Sequence, residues 1–189
     1  MPRLAGVDIY RFLPLSNRPR DDESSVTVDR REMIADVVEE AAGLALEARL
    51  ATADARLDDF ARTADLTDAR DRSPATAEDL ALLADAVRTG PRRRTRSLML
   101  AVRAVLVLGD ALGLEPRLSA VTLGAVALYG TSSATFDRRA VVRGHTLRAT
   151  DAEWSLGHGP VLQGTAMGIV RFLLGLSDEA PRPPAIPPR

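Results

Sequence analysis

The sequence predicts an α+β fold in which a bundle of about four helices precedes a small sheet and a closing C-terminal helix. Through residues 29–130, apolar side chains recur every three or four positions, as in amphipathic helices. After Arg138 the pattern changes to β-branched residues separated by glycine and proline, which is typical of short strands and turns. Four parts follow from this order: a flexible N-terminal segment (1–28), the helical bundle (29–137), a small α/β domain (138–177) and a proline-rich tail (178–189).

The first helix is predicted over residues 29–64. Asp29 is a suitable N-cap and Glu32 follows three residues later, the spacing of a capping box. No proline lies between residues 29 and 64, so one continuous helix is expected. A second helix begins after Thr76, with Asp79 at the capping-box position, and ends at Gly90-Pro91.

The third helix spans about 94–112 and ends on Gly113, and its apolar content on nearly all sides predicts a buried core helix. The charges of Arg96, Arg103 and Asp110 leave uncharged runs of only six residues, too short to cross a bilayer. A fourth helix is expected from a Ser119 cap to Tyr129, with Gly130 ending it.

Short strands are then predicted within 141–151, 153–157 and 160–164, followed by a helix over 165–176. The tail has five prolines between Pro181 and Arg189, which predicts an extended, solvated terminus. The first 28 residues contain no apolar run of secretory length, so a cytoplasmic location is expected.

Composition excludes several kinds of site. The chain has no Cys and two His, so it cannot build a disulfide framework, a thiol nucleophile or a three-histidine metal site. All 25 basic residues are Arg. Residues 29–90 carry a balance of −7 and residues 91–189 a balance of +6, so the acidic helical segment is expected to pack on a basic partner within the chain or across a homodimer. A pI near 6.1 does not indicate a nucleic-acid binder.

The run from Val142 to Ala166 contains Leu147-Arg148-Ala149-Thr150-Asp151-Ala152-Glu153-Trp154, a glycine turn and then Val161-Leu162-Gln163-Gly164. A helix that ends at Gly175 follows. This pattern resembles the C-terminal domain of the actinobacterial, mycothiol-dependent maleylpyruvate isomerase family. About 35 residues carry this resemblance, and the segment 110–116 is similar to the end of that family's last bundle helix. The resemblance implies a DinB-like four-helix bundle that carries a metal, joined to a small domain similar to sterol carrier protein.

The chain departs from this family at the residues of the metal site. The position of a metal-binding His falls on Ala104, and residues 1–144 contain no His. The arginine that usually follows the last glycine is replaced by Leu176. We therefore expect no metal and a degenerate relative acting as a small-molecule binding or interaction module, with its ligand between the bundle and the small domain. The alternative is a divergent mycothiol-dependent isomerase or transferase, so whether the protein is an enzyme stays open.

No catalytic residue is predicted. The candidate ligand-binding residues are Arg143, Arg148, Trp154 and His158, of which the arginines would supply charge for a thiol cofactor such as mycothiol. Trp154 either lines a ligand pocket or anchors the small domain's core.

Other polar residues have a simpler interpretation. His145 has no evident nucleophile or orienting carboxylate, and Asp151 and Glu153 are more typical of a turn than of an acid–base pair. The basic cluster at 92–96 has no interleaved aromatic residue, so it indicates a solvated or acid-paired face. No membrane or nucleic-acid partner is expected, and a homodimer through the helical segment 29–64 is left open.

Overall fold

The computed structural model describes residues 28–50, 54–69 and 74–185. Its fold is α+β, as the sequence predicts. The described part contains seven α-helices and three strands, in the order α1 (Arg31–Glu47), α2 (Ala55–Thr63), α3 (Ala77–Thr89), α4 (Thr95–Leu112), α5 (Ala120–Ser133), α6 (Phe136–Val142), β1 (Thr146–Ala149), β2 (Ser155–Gly157), β3 (Val161–Gly164) and α7 (Ala166–Leu174), with a 3-10 turn at Thr67–Ala69.

One continuous apolar core connects the helices to the sheet. Helix α4 lies at its centre and packs against α1, α2 and α5, while α5 packs in turn against α7. The side chains of Leu98, Val102 and Val105 on α4 are fully buried, which agrees with the predicted core helix. The predicted boundary between the helical bundle and the small α/β domain, at residues 137 and 138, falls inside α6.

The predicted single helix over 29–64 is wrong, because the chain forms two helices there. Arg49 adopts a left-handed backbone with φ 55°, and the amide of Leu50 donates to the carbonyl of Ala45 at 3.0 Å. This is the hydrogen bond of a Schellman motif, which normally has glycine in the left-handed position. Because Arg49 takes that position here, the sequence contains no glycine or proline that marks the end of α1. Helix α2 then begins after Asp54, whose side chain accepts from the Arg56 amide.

The caps of the other helices follow the sequence more closely. Thr76 and Asp79 form the predicted capping box of α3, and α4 ends at Gly113, which has φ 68°. The predicted cap of α1 is displaced by one residue, since Arg30 occupies the cap position. Asp29 nevertheless accepts hydrogen bonds from the amides of Arg31 at 3.1 Å and Arg93 at 3.3 Å, which fixes the start of α1 beside the start of α4.

The predicted end of α5 at Gly130 is also wrong. The helix continues to Ser133, and a β-carbon added at Gly130 would lie 3.1 Å from the Cβ of Leu173 on α7. The glycine therefore serves close packing of two helices, and it does not end one. The predicted strand from 141 begins only at Thr146, because residues 136–142 form the unpredicted helix α6.

The sheet has the order β2-β1-β3. Strand β1 pairs antiparallel with β2, placing Leu147 opposite Leu156, and parallel with β3, placing Leu147 opposite Leu162. The fully buried Leu147 thus joins the sheet to the core.

The proline-rich tail is docked at its start, whereas the sequence predicts a solvated terminus. Gln163 and Arg182 exchange backbone hydrogen bonds of 2.7 and 2.9 Å, and Pro181 is buried. The remaining tail residues 186–189 and most of the predicted N-terminal segment, residues 1–27, lie outside the described residues. Within the described ranges, no helix combines the length and apolar character that crossing a membrane requires.

Candidate functional site

A groove of about 710 Å³ lies where α5 and α6 face the β1–β2 hairpin. It falls within the size range of small-molecule sites. Its walls come from three parts of the sequence: the end of α5, most of α6 with the turn that follows it, and the hairpin. The lining residues are Leu128, Thr131, Ser132, Phe136, Arg139, Ala140, Val142, Arg143, Gly144, His145, Leu147, Leu156, Gly157 and His158.

Apolar side chains form the walls of the groove. Leu147 and Val142 belong to the buried core, with exposed fractions of 1% and 5%. Phe136 and Leu128 are instead exposed by 76% and 59%, which is high for side chains of their size. The groove therefore offers water-exposed apolar surface that an occupant would cover with a gain in free energy.

Two glycines bring the turn after α6 against the turn after β2. A β-carbon at Gly159 would lie 2.1 Å from the carbonyl oxygen of Gly144, and one at Gly157 would lie 2.5 Å from that of His145. Both glycines have positive φ, 109° and 89°, which side chains rarely permit. This close approach places the segments that carry Arg143, His145 and His158 around the same groove.

The groove has a basic polar composition. Among the described residues that line it, none is Asp or Glu, whereas two are Arg and two are His. Arg139 donates from Nη1 to the Ser132 carbonyl at 3.3 Å, and Arg143 makes no ion pair within the described part of the chain. With positive groups and no carboxylate, this composition favours an anionic occupant.

The hydroxyls of the groove already donate to the backbone, whereas His145 keeps one ring nitrogen available for other partners. The Nδ1 atom of His145 lies 3.2 Å from the carbonyl oxygen of Arg143. Because a carbonyl can only accept, a hydrogen bond there requires the proton on Nδ1 and leaves Nε2 for other partners. The hydroxyls of Thr131 and Ser132 donate to the carbonyls of Leu128 and Tyr129 in their own helix. These hydroxyls are engaged with the backbone and are not hydrogen-bonded to either imidazole.

The structure brings together two of the four sequence-predicted ligand residues, since Arg143 and His158 both line the groove. Arg148 does not; it is exposed on β1, between the inward-facing Leu147 and Ala149. Trp154 also lies outside the lining set, and its indole packs against α5 at Gly124.

Sequence reasoning missed Phe136 and Arg139 because it did not predict α6. A usable signal was present: Phe136, Arg139, Ala140 and Arg143 follow each other at spacings of three, one and three, which places them on one helical face. The structure has all four at the groove.

The other polar candidates have structural partners. Asp151 Oδ1 accepts from the amide of Ala166 at 2.6 Å and so caps the start of α7. In the basic cluster, Arg93 donates to Asp68 at 2.7 Å and is only 10% exposed. Over the described ranges of the chain, no three His, Cys, Asp or Glu side chains are grouped closely enough to hold a metal ion.

Comparisons with known proteins found no family model, no curated protein and no solved structure that matches this chain.

Proposed function

We propose that this protein binds a small anionic molecule with an apolar body in the groove between α5, α6 and the β1–β2 hairpin. The observation that carries the proposal is the composition of that groove: exposed Phe136 and Leu128, a rim with Arg139 and Arg143, and no carboxylate among its described lining residues. An apolar lining with a few polar groups that fix orientation is the usual form of a small-molecule site.

The expected affinity is weak. Covering about 100 Å² of apolar surface contributes roughly 2–3 kcal/mol at about 25 cal/mol per Å². A hydrogen bond between the Arg143 guanidinium and a carboxylate adds about 1.5–3 kcal/mol. Loss of ligand freedom opposes both terms. We therefore expect a small apolar carboxylate to bind with a Kd on the order of 1 mM or higher.

The proposal includes a relation to the maleylpyruvate isomerase and DinB-like family, of which this chain would be a metal-free, degenerate member. The region that carries the resemblance, about 142–175, forms two paired strands, a glycine-containing turn, a third strand and a helix. Its first residues line the groove, which supports a ligand site between bundle and small domain.

One observation favours the alternative function, a divergent mycothiol-dependent isomerase or transferase. Both histidines of the chain line the same groove, although they are 13 positions apart in sequence. Imidazoles are the commonest general acid–base groups, and a nearby imidazole or guanidinium would stabilise the thiolate form of a bound thiol. Mycothiol is therefore included among the test ligands.

Calorimetric titration with matched ligands tests the binding proposal. Octanoate and phenylacetate are expected to bind, and their uncharged counterparts octanol and 2-phenylethanol are expected to bind at least about tenfold more weakly, since they lack the charge-assisted hydrogen bond. Arg143→Gln should weaken carboxylate binding by about 10- to 100-fold. Arg148→Gln is the matched control, because Arg148 is exposed on the neighbouring strand outside the groove. Equal binding of acids and alcohols, or equal losses in both variants, would contradict the proposal.

Mycothiol is titrated in the same way to separate the two functions. Binding of mycothiol that is lost in His145→Gln and His158→Gln, together with turnover of maleylpyruvate, would favour the enzyme alternative. Binding of carboxylates with no response to mycothiol would favour the binding module.

A further inference from the structure

Five arginines surround the start of α4, where a second, mostly polar pocket of about 370 Å³ lies. Arg30 places its Nε 3.5 Å from the hydroxyl of Thr95, the first residue of the helix. The charged residues that line the pocket itself are Arg92, Arg93, Arg94, Arg96, Asp65 and Asp68. Five arginines against two aspartates leave a surplus of three positive charges around the pocket.

Most of these arginines have no counter-ion. The guanidinium of Arg30 is hydrogen-bonded to the Thr95 hydroxyl and to the sulfur of Met33, neither of which carries a charge. Asp29, which also lies beside the start of α4, is already paired with Arg31 at 2.7 Å. Three arginines of the pocket are exposed and make no ion pair within residues 28–50, 54–69 and 74–185, namely Arg92, Arg94 and Arg96.

The backbone at the start of α4 adds to this positive charge. Arg94 occupies the cap position without capping the helix, and the first turn contains no acidic residue. The amides of Thr95, Arg96 and Ser97 have no hydrogen-bond partner in the described part of the chain. Free amides and the helix dipole attract anions, whereas cations at this end of a helix are unfavourable. An anion in the pocket would therefore relieve the repulsion and satisfy these amides.

The buried side chain of Arg93 gives an independent indication of a ligand. It lines the same pocket and is only 10% exposed. Its Nη2 donates to Asp68 at 2.7 Å and its Nη1 to the Asp65 carbonyl at 3.5 Å, but its Nε is buried without a hydrogen-bond partner among the described residues. Buried donors in proteins are nearly always satisfied, and a bound ion is one explanation of an exception.

From these observations we propose that the pocket at the start of α4 binds the diphosphate group of a small molecule. The amides of Thr95, Arg96 and Ser97 donate to the phosphate nearer the helix, and the guanidinium groups of Arg94 and Arg96 form charge-assisted hydrogen bonds with both phosphates. A phosphate monoester carries at most about two negative charges, so a diphosphate balances the surplus of three more closely. This goes beyond the proposed function, because the site is separate from the groove and its ligand needs no apolar body.

Amide chemical shifts of the isotope-labelled full chain, recorded while pyrophosphate is added, test the proposal. The largest saturable shifts are expected at Thr95, Arg96 and Ser97. The paired change Arg94→Gln with Arg96→Gln should weaken pyrophosphate binding by at least about tenfold, because it removes charge-assisted hydrogen bonds. The same change takes positive charge away from a helix N-terminus, so α4 should remain folded.

The matched control is the paired change Arg103→Gln with Arg148→Gln. It alters the net charge equally at two exposed arginines, one on α4 two turns beyond Arg96 and one on β1. Because exposed charges more than a screening length away contribute little, the control pair should change the affinity by less than about twofold.

Two further ligands identify the source of the diphosphate. Tighter binding of ADP than of pyrophosphate supports a nucleotide ester, and equal binding of the two supports recognition of the diphosphate alone. Adenosine, which has no phosphate, is expected not to bind, and adenosine shifts as large as those of ADP would overturn the proposal.

Absence of saturable shifts at the first three amides of α4 would also overturn it. Equal weakening in the two pairs of variants would do the same, since the attraction would then be a general effect of surface charge. Shifts confined to Gly157 and His158 would place the anion in the groove and not at α4. No carboxylate ligand enters this measurement, so its failure is separate from failure of the proposed function.

Discussion

The indole of Trp154 packs directly on the backbone of α5 at Gly124, with Cδ1 3.4 Å from the position that a β-carbon of residue 124 would take. The Nε1 atom of this tryptophan is buried without a hydrogen-bond partner in the described part of the chain. The sequence left two roles open for Trp154, ligand contact or core anchor. Its position between the hairpin and α5, outside the groove lining, supports the second.

Substitutions at Trp154 should separate apolar packing from the indole N–H. Trp154→Ala is expected to lower the free energy of unfolding by about 3 kcal/mol, because it leaves a cavity against α5. Trp154→Phe keeps most of the apolar contact and removes a buried N–H that has no partner, so a loss below about 1 kcal/mol is expected. Urea denaturation followed by circular dichroism measures both. Equal losses for Ala and Phe would contradict the packing role.

Adding a side chain at two helical glycines should change the stability of the protein in opposite directions. Gly43 on α1 is exposed, and a β-carbon there meets no atom within 4 Å, so Gly43→Ala should stabilise the protein by about 0.5–1 kcal/mol. Gly130 faces Leu173, and Gly130→Val should destabilise it by about 2 kcal/mol by forcing α5 and α7 apart. The measurement is the urea midpoint of each variant. Stabilisation by Gly130→Val would contradict the described packing of α5 on α7.

Arg88 holds together a cluster of carboxylates. Its Nη1 lies 2.7 Å from Glu39, and its Nε and Nη2 lie 3.3 Å from Glu32 and Asp36. The hydrogen bond with Glu39 is the main reason that the pKa of Arg88 lies above its usual value. The acidic face of α1 is thus partly neutralised within the chain.

Arg88→Gln should destabilise the fold by about 1 kcal/mol, because the carboxylates of α1 would then repel one another without a cation between them. The loss should shrink at 1 M NaCl, where the screening length falls to about 3 Å. Thermal unfolding at low and high salt checks this, with Arg148→Gln as an exposed control of equal charge change. A loss that is independent of salt would indicate a packing role for Arg88.

The cap of α2 should make stability depend on pH in the acid range. Asp54 accepts from the Arg56 side chain at 2.9 and 2.6 Å and from its amide at 2.9 Å. The side-chain hydrogen bond is the main reason that the pKa of Asp54 is lowered to about 2 from its usual 3.8. A carboxyl with a lowered pKa in the folded state stabilises it above its ordinary pKa, and this contribution disappears as pH falls from about 4 to 2.

Asp54→Asn keeps an oxygen that can cap α2 but does not titrate, so the variant should lose less stability between pH 4 and pH 2 than the parent protein. Melting temperatures measured across this range test the expectation. Glu179→Gln serves as the control, since Glu179 is an exposed carboxyl near the C-terminal end of the described chain. Identical pH profiles for Asp54→Asn and the parent would show that the Asp54–Arg56 contact contributes nothing.

Local sequence signals were sufficient to predict the limits of helices that begin with a capping residue or end with a left-handed glycine. Thr76 with Asp79 and Gly113 each satisfy hydrogen-bonding groups at a helix terminus, so the limits of α3 and α4 could be predicted. The end of α1 could not, because Arg49 takes the left-handed conformation that the pattern assigns to glycine. Gly130 misled the prediction for the opposite reason: its role depends on Leu173, which is distant in sequence.

The residues of the groove could be predicted only in part, because several of them come together from segments that are distant in sequence. Arg143 and His158 stand out locally as polar residues beside glycines, and both line it. Leu128 and Phe136 become groove residues only because α5, α6 and the hairpin surround the same groove, a tertiary arrangement that no local periodicity encodes. Arg148 and Trp154 do not line the groove, because Arg148 is exposed on β1 and the indole of Trp154, just before β2, packs against α5 at Gly124.

The most direct test of the binding proposal is to record amide chemical shifts while octanoate is added to isotope-labelled protein. We expect the largest, saturable shifts at Gly144, His145, Gly157 and His158, with loss of these shifts in Arg143→Gln and their retention in Arg148→Gln. Shifts confined to the basic cluster at 92–96, or no saturable shift at the groove residues, would contradict the proposed site.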